Sequence, residues 1–70
     1  MRTHRYRITV AGGLDEAGRE AFGDFEIEPH GTNTVLTGDL DQAALHGVLN
    51  RIQSLGLELL EARRLTDGAS

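Results

Sequence analysis

Cysteine is absent from this chain. That one absence removes disulfides, zinc–thiolate sites and iron–sulfur clusters together. Lysine is absent too, so all 7 basic residues are arginine; with abundant Ala, Gly, Leu, Asp and Glu, this points to a GC-rich coding sequence. Aromatic residues amount to 4%, one tyrosine and two phenylalanines, and the formal net charge is −4. A domain short of both clustered positive charge and stacking aromatics is poorly equipped for nucleic acid, since phosphate neutralisation and base stacking need them. No apolar run approaches membrane-spanning length, and the opening "MRTHRYR" lacks the apolar core of a signal peptide. The expectation is a cytoplasmic protein that binds neither nucleic acid nor membrane.

Seventy residues make one small domain. A chain of this size buries only about 60% of the surface its unfolded form exposes. A core so small rarely supplies more than roughly 3–5 kcal/mol unless a disulfide, a metal or a partner subunit adds to it. The 3 histidines, His4, His30 and His46, lie far apart with no ligand spacing, so neither a metal nor a cofactor is expected. Association remains, and the partner expected is the chain itself, as a homodimer or larger homo-oligomer.

What is present is a clear alternation of strand and helix patterns. In "HRYRITVAGG" Tyr6, Ile8 and Val10 point one way and Arg5, Arg7 and Thr9 the other, the period of a strand with one buried face. "LDEAGREAF" sets Leu14, Ala17, Ala21 and Phe22 on one side of a helix. Gly18 interrupts it, at about 1 kcal/mol relative to alanine, and is read as a close helix–sheet contact. "DFEIEP" alternates again, and Pro29, which cannot donate a ladder hydrogen bond, places this strand at an edge or ends it near the proline. "PHGTN" supplies a turn and "TVLTG" a third strand, making a hairpin. Asp39 with Gln42 reads as the cap of a second helix, whose stripe runs through Leu45, Val48, Leu49, Ile52 and Leu55. Gly56 stops it in the left-handed conformation, and "LELLEARRL" follows as a fourth strand. Residues 1–65 then form one domain and 66–70 a flexible tail.

This order, β-α-β-β-α-β, predicts an α+β fold of the ferredoxin-like kind. In it, two right-handed crossovers build a four-stranded antiparallel sheet, order 4-1-3-2, with two helices on one face.

The stretch "DQAALHGVLNRIQSLGLELLEARRL" (Asp41 to Leu65), with "YRITVAG" and "TVLTG", resembles short hypothetical proteins of high-GC actinobacteria that share an ACT-like pattern. The resemblance covers nearly the whole chain. It implies the fold and a bacterial origin, and it carries over no catalytic residue. The topology is also similar to that of ACT-type regulatory domains and small dimeric α/β-barrel proteins, an analogy of fold alone.

Candidate chemistry is sparse. His46, in "AALHGVL", is the natural general acid or base, but the neighbouring stripe through Leu45 and Leu49 also suits a partly exposed helix histidine that nothing orients. "VAGGLDEAG" opens a helix with glycines, yet matches no phosphate-binding pattern and is followed by acids. Arg5, Arg7, Arg63 and Arg64 fall on neighbouring strands, where pairing with Glu58 or Glu61 accounts for them as simply as an anion site does. Tyr6, Arg7, Arg63 and His46 are therefore the weak ligand-contact candidates. The fourth strand is unusual: Leu57 and Leu59 share a face with Glu61 and Arg63, opposite Leu60 and Ala62. That leaves Leu57 and Leu59, with Val35 of the third strand, on the open face of the sheet, the signature of a protein interface. The expected function is a small self-associating regulatory or accessory domain without catalytic activity. The rival is a cofactor-free enzyme of the dimeric α/β-barrel type with a pocket between sheet and helices.

Overall fold

Six elements carry the chain in the computed structural model, which describes residues 2–65. They are β1 (His4–Val10), α1 (Glu16–Ala21), β2 (Glu26–His30), β3 (Asn33–Leu40), α2 (Gln42–Ser54) and β4 (Leu59–Leu65). The strands form one antiparallel sheet in the order β2-β3-β1-β4, the expected order read from its other edge. The anticipated tail at 66–70 lies outside the described residues.

Register follows the alternation of β1. Ile8 lies opposite Leu36 of β3 and Ala62 of β4, and Leu36 in turn lies opposite Ile27 of β2. Cross-strand partners share a face, so one row of apolar residues crosses the sheet. Ile8, Val10, Leu36 and Leu40 meet Phe22 behind α1 and Val48 and Ile52 of α2 in a single buried cluster. Phe25 sets its ring edge-on to Phe22, centroids 6.0 Å apart, and comes close to β3 at Gly38. A Cβ on Gly38 would stand 2.9 Å from the Phe25 ring, so glycine is what lets the ring reach the sheet. The one buried polar residue among those described, Thr34, donates its hydroxyl to the Gly12 carbonyl at 2.7 Å and ties the β1–α1 turn to β3.

Pro29 falls in β2, an edge strand as its missing N–H requires. Gly31 takes φ 65° in the two-residue turn that joins β2 to β3. Helix α1 is shorter than its pattern suggests, because Asp15 caps it by accepting from the Gly18 N–H at 2.8 Å, leaving Leu14 outside. Gly18 is buried against that same Leu14, whose Cδ2 would stand 3.2 Å from an added Cβ. The close contact inferred for this glycine thus exists, but with the turn before the helix rather than with the sheet.

Helix α2 corrects the cap. Asp41, not Asp39, accepts the Ala44 N–H at 2.7 Å. Strand β3 runs to Leu40, so Asp39 is still in the ladder, opposite Arg5. The C-terminal end is as anticipated: Gly56 has φ 73°. The Leu57 N–H reaches the Ile52 carbonyl and the Gly56 N–H the Gln53 carbonyl, each at 3.0 Å. This is the Schellman arrangement, in which the residue after the left-handed glycine folds back against the last turn of the helix.

That cap displaces the fourth strand. β4 begins at Leu59, not Leu57. Leu57 packs against the core cluster and lines a groove with Leu49, Ile52, Gln53 and Leu59. The ladder then slips: Thr9 lies opposite Glu61 but Val10 opposite Leu59, so Leu60 is the extra residue of a β-bulge. Leu57 and Leu59 are therefore on the helix side, and their assignment to the open face is corrected. Val35 does lie on the open face, opposite Thr9 and Glu28. At 6% exposure it offers little surface of its own in the single chain.

Candidate functional site

The space between sheet and helices, where a dimeric-barrel enzyme would hold its substrate, is filled by Ile8, Val10, Phe22, Leu36 and Ile52, each 2% exposed or less. His46 is exposed. Helical spacing puts it beside the apolar stripe, two residues before buried Val48, and the structure brings it to none of the other ligand-contact candidates.

Those candidates separate onto two faces. Tyr6 lies on the helix side, opposite Arg64 and Gly38. It lines an open cleft of about 550 Å³ with Arg2, His4, Arg64 and the first residues of α2, Asp41, Gln42 and Ala43. Arg2 and Arg64 give it positive charge, and the Asp41 carboxylate is committed to its own helix. Of its lining residues His4 is the base and Tyr6 the hydroxyl that acyl or phosphoryl chemistry would call on, and no hydrogen bond joins them.

Arg7 and Arg63 occupy the open face, directly opposite one another. The arginine–glutamate pairing expected between β1 and β4 is not the one found. Arg5 instead reaches across β3 to Glu26 and lies 3.5 Å from Asp39. Among the described residues these are the only ion pairs, so Arg7 and Arg63 form a like-charge cross-strand pair. Glu61 sits beside them opposite Thr9, with no cation in contact. No group of three or more metal-ligating side chains occurs among the described residues, and none of their helices is long and apolar enough to cross a membrane.

The most exposed apolar surface is at the β4 edge. Leu59 is 42% and Leu60 47% exposed, with Leu55 at the end of α2 at 41%. Every residue of β4 except Leu65 is exposed. Sequence reasoning found Leu59 but missed Leu55 and Leu60, because the stripe of α2 assigned Leu55 inward and unbroken alternation assigned Leu60 to the core. A bulge has no fixed sequence signal, so unbroken alternation is the only rule available before the register is seen.

A family model described as Domain of unknown function (DUF8691) matches residues 5–63. The chain belongs to that family. The match begins inside β1 and ends inside β4, so the DUF8691 unit is this α+β sheet with its two helices. No curated protein and no solved structure matches the chain.

Proposed function

We propose that this DUF8691 protein is a ferredoxin-like, cytoplasmic, bacterial accessory or regulatory domain that self-associates and works through contact with other chains rather than by catalysis. The observation that carries the reading is the bare β4 edge. A strand exposed along almost its whole length, with Leu59 and Leu60 nearly half open to solvent, is a template for pairing unless something covers it. The small core makes the same demand from the side of stability. The filled centre of the sheet–helix layer and the isolation of His46 favour this reading over a cofactor-free enzyme, whereas the open cleft lined by Tyr6 at the end of that layer is the one feature that suits the enzyme.

Sedimentation of the full chain at low micromolar concentration tests it. A dimer or larger species is expected, with a melting temperature that rises with protein concentration because folding and association are linked. Leu59→Glu adds a carboxylate to a position that is 42% exposed in the single chain, so the variant should fold and sediment as monomer. A parent that is monomeric with a concentration-independent melt would overturn the proposal.

A further inference from the structure

The two edges of the sheet are not equivalent. Edge strand β2 carries Pro29, which removes one ladder donor, and two glutamates, Glu26 and Glu28, on the same face. An antiparallel self-pairing of β2 centred on Ile27 or Glu28 sets glutamate against glutamate. These are the devices by which an edge is kept from pairing. Edge strand β4, "LLEARRL", has no proline, and its open face carries one charge of each sign, Glu61 and Arg63.

From that difference, and resting on the self-association proposed above, we infer that the partner of β4 is β4 of a second copy, paired antiparallel about a two-fold axis through Ala62. Such an axis closes a dimer and joins the two sheets into one of eight strands with all helices on one side. Cross-strand neighbours in an antiparallel pair must share a face, so only a limited set of registers exists. With the axis at Ala62, Glu61 lies opposite Arg63 of the second copy, and Arg63 opposite Glu61 of the second copy. Moving the axis one residue sets Glu61 against Glu61 or Arg63 against Arg63. Of these three registers only the one centred on Ala62 sets opposite charges face to face.

Two features of the single chain fit that register. Arg63 faces Arg7 on its inner side, an unfavourable pair that a glutamate on its outer side neutralises. Glu61 lies opposite Thr9 and makes no ion pair among the described residues, and it gains an arginine directly opposite. On the helix side Ala62, opposite Ile8, is small enough to meet its own copy, and Leu60 comes to lie along the aliphatic stem of Arg64. The bulge puts Leu59 on the helix side and Leu65 on the open face, so regular pairing runs from Leu60 to Arg64 and covers Leu60.

The register is tested by cross-linking and by charge exchange in the full chain. The protein has no cysteine, so Ala62→Cys introduces one thiol per chain. Residues facing each other in an antiparallel ladder have Cα atoms about 4.5–5.5 Å apart, within the roughly 4.4–6.8 Å that a disulfide spans. Ala62→Cys should therefore oxidise to a covalent dimer. Arg64→Cys, whose two copies would be four residues out of register or about 13 Å apart, should not. Glu61→Arg and Arg63→Glu each turn both interchain pairs into like-charge pairs and should raise the dimer Kd about tenfold or more. The double exchange Glu61→Arg/Arg63→Glu restores opposite charges and should return the Kd to within about threefold of the parent. A parent that sediments as a dimer, yet shows neither selective Ala62→Cys cross-linking nor rescue by the double exchange, overturns the edge pairing and leaves self-association standing through another surface. A monomeric parent removes both.

Discussion

Replacing Asp41 by alanine tests the corrected start of α2, and Asp39→Ala is its natural control. The Asp41 carboxylate accepts the Ala44 N–H at 2.7 Å, and its backbone carbonyl accepts the Leu45 N–H at 2.9 Å. Alanine keeps the second bond and loses the first. Loss of an N-cap acceptor costs about 1 kcal/mol, with a range of roughly 0.5–2, and includes the loss of a negative charge at the positive end of the helix dipole. Set against a core worth roughly 3–5 kcal/mol, this is a fifth to a third of the stability. In urea, where a protein of this size has a slope near 1 kcal/mol per M, the midpoint should fall by about 1 M, and the melting temperature by roughly 4–8 °C. Asp39 makes only an exposed contact, 3.5 Å from Arg5, so its removal should cost no more than a few tenths of a kcal/mol. That small effect should fade as salt is raised, whereas the Asp41 effect, a hydrogen bond to the backbone, should persist. Asp41→Asn keeps an acceptor and should recover most of the loss. Both single variants should be unfolded at one fixed protein concentration, so that linked association shifts them equally. Equal midpoints for Asp39→Ala and Asp41→Ala, or a larger loss for Asp39, would refute the assignment.

Two further substitutions probe the helix side of the molecule. Gly38→Ala places a methyl group 2.9 Å from the Phe25 ring; the overpacking should outweigh alanine's backbone advantage and lower stability by about 1–2 kcal/mol, read as a fall in urea midpoint, and no fall would mean that Phe25 does not rest on β3. His46→Gln alters an exposed position on α2 and should leave the midpoint within about 0.5 kcal/mol of the parent with sedimentation unchanged; a shift in either would show that His46 has a partner.

The parts of the fold that were legible in advance are those that periodicity or backbone chemistry alone dictates. Strand β1 needs only its alternation to place Ile8 and Val10 in the core, and both are fully buried. Pro29 marked an edge or a strand end because a central ladder does not tolerate a missing donor, and Gly56 marked the end of α2 because few other residues take a positive φ. The misreadings have one cause in common: local pattern does not say where one element hands over to the next. Asp39 and Asp41 are equally good caps by residue type, and only the length of β3, set by pairing with β1, decides between them. The same holds for Leu57, whose alternation with Leu59 suggests a strand although the cap of α2 has already claimed it. Of the candidate site, Leu59 and the arginines of β1 and β4 were legible as residues. Their partners were not, since Arg5 is paired across β3 with Glu26, a contact that requires the sheet order and not merely neighbouring strands.

The cap, the bulge and the proposed edge are steps in one chain of cause. Gly56 turns left-handed, so Leu57 folds back onto Ile52 and the chain enters β4 from the helix side. Leu59 therefore starts the strand facing inward, opposite Val10. Had alternation continued unbroken from there, Glu61 and Arg63 would have pointed into the apolar core and Ala62 away from it, since a shift of one residue exchanges the two faces of a strand. Burying either charge without a partner costs several kcal/mol, comparable to the whole stability of a domain this small. Absorbing Leu60 in a bulge avoids that cost. It sets Ala62 against Ile8 and turns Glu61 and Arg63 to the open face, at the price of exposing Leu60 beside them. The same adjustment that protects the core thus leaves one edge of the sheet apolar at one end and carrying one charge of each sign, Glu61 and Arg63, on its open face. Lengthening the turn before β4 by one residue would let Leu60 enter the strand facing the helices without a bulge, and would leave Glu61 and Arg63 on the open face where the proposed pairing needs them.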